Sequence, residues 1–124
     1  MKNKWLFIAA LSGFFSVALG AFAAHGLTRI LDHKALTWID TGLKYQLFHT
    51  LAILAVGLSV WRNDKFANLA ATAWTVGMVF FSGSLYALAF SVSKMVVWIT
   101  PIGGTLFLIG WFSLAYGSFK SKSE

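Results

Sequence analysis

Charged residues punctuate this chain and leave long apolar runs between them. Residues 5–24 contain no Lys, Arg, Asp or Glu. At about 1.5 Å per residue, such a helix covers about 30 Å, the thickness of a bilayer core. Three further uncharged runs cover residues 45–61, 66–93 and 95–119. The pattern predicts four membrane spans, over about 5–24, 45–61, 67–91 and 97–119. The second span is at the short end of the range, and Lys44 and Arg62 can snorkel to the interface from its ends. The third run is longer than a bilayer needs, so it must tilt or unwind near Ser91, Val92 and Ser93.

The segment 27–41 reads differently. Leu27, Ile30, Leu31, Ala35, Trp38 and Ile39 recur at helical spacing, and Arg29, Asp32, His33, Thr37 and Asp40 fill the other side. It is too short and too polar to span. We expect an amphipathic helix in the headgroup region, with turns at Gly26 and Gly42. The turn Arg62-Asn63-Asp64-Lys65 is short enough to make the second and third spans antiparallel neighbours. Pro101 either opens the fourth helix, with Thr100 as N-cap, or kinks it. The fold class is therefore all-α. We expect an integral membrane four-helix antiparallel bundle, one transmembrane domain over 1–124.

Small residues mark the faces where helices can approach. Ser12, Ser16, Gly20 and Ala24 fall four apart on the first span. Gly83 with Ala87 makes a small-xxx-small pair on the third, and Gly103, Gly110 and Gly117 recur every seven residues on the fourth.

Composition supports the membrane reading. The chain has 124 residues, 58% of them hydrophobic and 11% charged, with mean hydropathy +0.73. Soluble domains average about 25% charged residues. The formal charge of +6 is spread in ones and twos between apolar runs. That arrangement suits flanks facing anionic headgroups and gives no nucleic-acid surface. With no cysteine there is no disulfide or thiolate metal site. The N-terminus, with an apolar run before Ala21-Phe22-Ala23, also resembles a signal peptide. The run exceeds a signal core and three more spans follow, so we expect an uncleaved first span.

Orientation follows from the basic flanks. Lys2, Lys4, Arg62, Lys65, Lys120 and Lys122 share one side of a four-span bundle; Arg29, Lys34, Lys44 and Lys94 share the other. The excess places both termini in the cytoplasm.

Few residues offer chemistry. His25 ends the first span and His49 lies early in the second, so we expect the two to approach one another. Two histidines can ligate haem or metal, but interhelical hydrogen bonding is the favoured role, and no cofactor or metal is expected. Tyr45 and His49, like Gln46 and Thr50, lie four apart on one helix. That polar face should turn into the bundle, either as a hydrated cavity or, preferentially, as register-fixing hydrogen bonds. Ser82, Ser84 and Tyr86 sit mid-span without a base, which argues against a serine nucleophile. No Asp or Glu lies within any span, so the intramembrane carboxylate of small multidrug exporters has no counterpart.

Four motifs occur in order: Gly20–Leu27 as GAFAAHGL, Gly42–Ala52 as GLKYQLFHTLA, Phe81–Tyr86 as FSGSLY, and Thr100–Gly104 as TPIGG followed by Gly110-Trp111. Together they resemble the small bacterial inner-membrane protein family of unknown function typified by YgdD and YwdK. The resemblance implies a four-span bacterial inner-membrane protein and no reaction. We expect no enzyme, but a helix-packing or interaction protein that meets membrane lipid and binds lipid, a partner protein or a second copy of itself. The alternative is a small transporter or channel with a polar cavity near His49.

Overall fold

The computed structural model describes residues 3–121. Lys2 and Lys122, counted above among the flanking charges, lie outside the described residues. The described chain folds as four helices: α1 Lys4–His25, α2 His33–Leu58, α3 Lys65–Ala89 and α4 Thr100–Ser121. Single 3-10 turns lie at Leu27–Arg29 and Lys94–Trp98. The stretches Lys4–His25, Lys65–Ala89 and Lys94–Lys120 are long and apolar enough to cross a membrane. Helix α2 is as long as these, but its first half carries Lys34, Asp40 and Lys44.

Polar side chains start three of the helices. Asn3 accepts from the Leu6 N–H, Asp32 from Ala35, and Asp64 from both Phe66 and Ala67. Each satisfies N–H groups that the first helical turn leaves unpaired. Helix α3 ends with Ser91 at φ 58°, the left-handed conformation of a C-terminal cap. The Ser91 N–H donates to Leu88 and the Val92 N–H to Ala87, so α3 stops there and the run does not extend to Ser93. Pro101 lies in the first turn of α4, where its missing N–H costs no helical bond.

The separate interfacial helix expected over 27–41 is not present as an element. Residues from His33 onward continue without a break through Gly42 into the second apolar run. Gly42 is no turn, and its mid-helix position has a packing reason. The ring of Tyr86 lies where a Cβ would stand, 2.6 Å from that position. The first half of α2 is thereby drawn into the bundle. Ala35 and Ile39 pack with Ala23 of α1 and Ala89 of α3.

Successive helices run antiparallel. Along α1 and α2, Asn3 meets Gly57, Ser12 meets Thr50, and Gly20 faces Leu43. Along α3 and α4, Ser84 meets Thr100, Gly77 faces Phe107 and Trp74 faces Gly110. The closest pairing is α3 with α4, and α3 is the most enclosed helix. Helices α2 and α3 form the central pair, flanked by α1 and α4. The main core joins Trp5, Ala9, Ile53, Val56, Ala70, Trp74, Met78 and Phe107. Large apolar side chains such as Phe7, Phe14, Phe15, Leu108 and Phe112 point outward, as lipid-facing helices require.

Candidate functional site

The polar side chains divide into two networks on adjacent faces of α2. The first faces α1 and α3. Tyr86 OH donates to Gln46 Oε1 at 2.6 Å, and Gln46 Nε2 donates to Ser12 Oγ at 3.1 Å. Ser12 Oγ pairs with Thr50 Oγ1 at 2.7 Å, and Thr50 reaches the Met78 sulfur at 3.6 Å. Nearby, Ser82 Oγ donates to the Gly42 carbonyl at 2.7 Å. Ser84 bonds to the Phe81 carbonyl and to Thr100 Oγ1, tying α3 to the start of α4.

The second network faces α4 and centres on His49, which is buried. The indole N–H of Trp111 donates to His49 Nε2 at 3.0 Å. An indole nitrogen only donates, so Nε2 carries the lone pair and Nδ1 the proton. Nδ1 then donates to the Tyr45 carbonyl at 2.9 Å. The ring stacks on Phe107 with centroids 3.7 Å apart and planes 8° apart. Both ring nitrogens are engaged inside the protein.

The expected meeting of His25 with His49 does not occur. His25 is exposed at the end of α1, a level at which α1 packs against the start of α2. Because α2 begins at His33, His49 lies about 24 Å further along it and faces α4. Among the described residues, no group of three or more His, Asp or Glu side chains could hold a metal.

The small residues also divide. A side chain at Gly103 would strike the Phe81 backbone; one at Gly110 would strike Trp74, and one at Gly117 would strike Phe66. These three form a continuous seam against α3. Ser16 is buried, and Gly20 lies against Leu43 with room for a methyl group. Gly83 packs against none of the described residues: a Cβ there would meet none of their atoms within 4 Å. It lies in a groove instead.

That groove runs between α1 and α3 and encloses about 310 Å³. Its walls are Ile8, Leu11, Phe15, Thr75, Val79 and Gly83, and Ser12, Gln46 and Met78 form its floor. Sequence reasoning had no sign of it, since it requires knowing that α1 and α3 stand parallel with a gap between them. A second cavity of about 230 Å³ lies at the N-terminal ends of the same two helices. Asn3, Lys4, Trp5, Arg62, Asn63 and Asn68 line it. Asn68, unremarked in the sequence, organises this end. It accepts the Trp5 indole N–H at 2.8 Å and donates to the Arg62 and Asp64 carbonyls. A lone Asn one turn into an apolar helix was the available signal.

Comparison with known proteins finds relatives named as membrane proteins. Residues 19–104 match a family described as a protein of unknown function, DUF423. A UPF0382 membrane protein of Haemophilus influenzae is 72% identical, with 99% of each chain covered. The UPF0382 inner membrane protein YgdD of Escherichia coli K12 is 43% identical over 100% of this chain and 96% of its own. A UPF0382 membrane protein of Staphylococcus saprophyticus is 40% identical over 94% of this chain and 97% of its own. No solved structure matches.

Proposed function

We propose that this chain, which belongs to the DUF423 family of membrane proteins of unknown function, is a non-enzymatic four-span protein that binds a lipid chain in the groove between α1 and α3. The single observation carrying this reading is the groove itself. Its walls are apolar, it opens sideways, and its volume of about 310 Å³ suits a chain. An α-helix about 10 Å across does not fit inside it, which favours lipid over a partner's transmembrane helix. The polar groups on its floor are already paired with one another, so no substrate is needed to satisfy them. In this reading the apolar half of α2 is the second of the four spans and both termini are cytoplasmic.

The transporter alternative draws on the buried polar face near His49. The packing of Phe107 and Trp111 against that ring favours a structural role over a water-filled path.

Gly83→Leu tests the groove. The new side chain enters open space rather than a packed helix, so the fold is retained. Native mass spectrometry of protein extracted in mild detergent should show less co-purifying lipid than for the wild type. Equal retention would remove the groove as a lipid site.

A further inference from the structure

We propose that the cavity at the N-terminal ends of α1 and α3 binds the anionic phosphate of a phospholipid headgroup, and that its acyl chain is the one lying in the groove. The inference rests on the groove reading and adds the chemistry of the ligand.

The two cavities share one stripe on each helix. On α1, Lys4 lines the headgroup cavity, and Ile8, Leu11 and Phe15 line the groove. These positions follow spacings of four, three and four, a single helical face. On α3, Asn68 lines the first cavity, and Thr75, Val79 and Gly83 line the second. They too fall on one face. One ligand can therefore pass from the first cavity into the second without crossing a helix.

The length agrees. Lys4 to Phe15 is eleven residues, about 16 Å of helix, which is the depth of one leaflet. Lys4 precedes the apolar run, at headgroup level, and Phe15 lies at mid-bilayer depth.

The charge agrees as well. Lys4 and Arg62 bring two cations to the cavity from different elements, and among the described residues no carboxylate lines it. The neighbouring Asp64 is turned to cap α3. Arg62 donates one N–H to the Ser59 carbonyl, and Lys4 Nζ stands 5.0 Å over the Trp5 ring. A guanidinium has five N–H donors and an ammonium three, so both cations keep donors for phosphate oxygens. The Asn63 amide lines the same wall. Trp5 and Asn68, bonded to one another, form the floor at which headgroup gives way to chain.

The test uses the full chain in mild detergent. Native mass spectrometry compares retention of phosphatidylglycerol and phosphatidylcholine carrying identical acyl chains. The wild type should retain the anionic lipid about tenfold more strongly. Lys4→Gln with Arg62→Gln should bring that ratio close to one while leaving phosphatidylcholine retention unchanged. Lys4→Arg with Arg62→Lys should keep the preference, which separates loss of charge from loss of fold. A preference unaltered by the Gln pair would overturn the headgroup site and leave the groove standing. Gly83→Leu should lower retention of both lipids. Unchanged retention there would overturn the groove whatever the ratio. Inorganic phosphate is the control for a free-anion site. If it protects the wild type from unfolding as well as phosphatidylglycerol does, and the Gln pair abolishes that protection, the lipid assignment falls.

Discussion

Trp111 and His49 hold one another in a single arrangement. The indole donates to Nε2 at 3.0 Å, so the imidazole proton stays on Nδ1 and points to the Tyr45 carbonyl of its own helix. A second proton at Nε2 would face the indole N–H, donor against donor. The pair thereby joins α2 to α4 through a neutral ring and leaves no nitrogen for a metal or a passing proton.

A substitution that keeps one donor and one acceptor should therefore be accepted. His49→Gln is expected to fold with little loss. His49→Leu strands the Trp111 N–H and should cost about 1 to 2 kcal/mol, as for other interhelical hydrogen bonds in membranes. Reversible unfolding in detergent measures both. Equal losses would show that stacking on Phe107, not hydrogen bonding, fixes the ring.

The glycine seam predicts a sharp contrast on α4. Gly110→Leu drives a side chain into Trp74 and should destabilise by about 3 kcal/mol, the upper end for overpacking. Leu108, 71% exposed on the outward side, should tolerate Ala with a much smaller loss. Comparable shifts in melting temperature would mean that α3 and α4 can separate without consequence.

Ser16 predicts a gain. Its hydroxyl is buried and has no hydrogen-bond partner among the described residues. Ser16→Ala removes an unsatisfied group at almost constant volume, and should stabilise by about 1 kcal/mol. A loss of stability in the same unfolding assay would reveal a partner for that hydroxyl.

Topology can be read with reporter fusions. Those at Lys65 and Glu124 should report cytoplasm, and one at Lys34 should report the outer side. A cytoplasmic signal at Lys34 would reverse the assignment.

The helices were largely legible in the sequence, because a run without charge is nearly sufficient to mark an apolar helix. The course of α2 was not. Gly42 in a helix and Gly42 in a turn look alike until Tyr86 is known to occupy the vacant Cβ position. Gly83 and Gly110 make the same point in opposite directions. Both read as packing glycines, yet one faces a groove and the other Trp74. The polar residues could be named singly, but their pairing depends on which side of α2 each helix occupies. His49 was assigned to the wrong neighbour for that reason. The Lys4–Arg62 cavity was illegible altogether, since its cations lie 58 positions apart and meet only when α1 and α3 stand side by side.

The distribution of the hydrogen bonds has a consequence for how the protein is made. Ser12, Gln46 and Thr50 all belong to the first two helices and pair within them. Ser84 and Thr100 belong to the last two and pair within those. The first half thus leaves the ribosome as a hairpin that pairs Ser12 with Gln46 and Thr50 before the second exists. The links from Tyr86 to Gln46, Ser82 to Gly42, Trp111 to His49 and Trp5 to Asn68 await the union of the halves. The union of the halves is therefore what completes the polar pairing of α2, through the His49 ring and the Gln46 carbonyl.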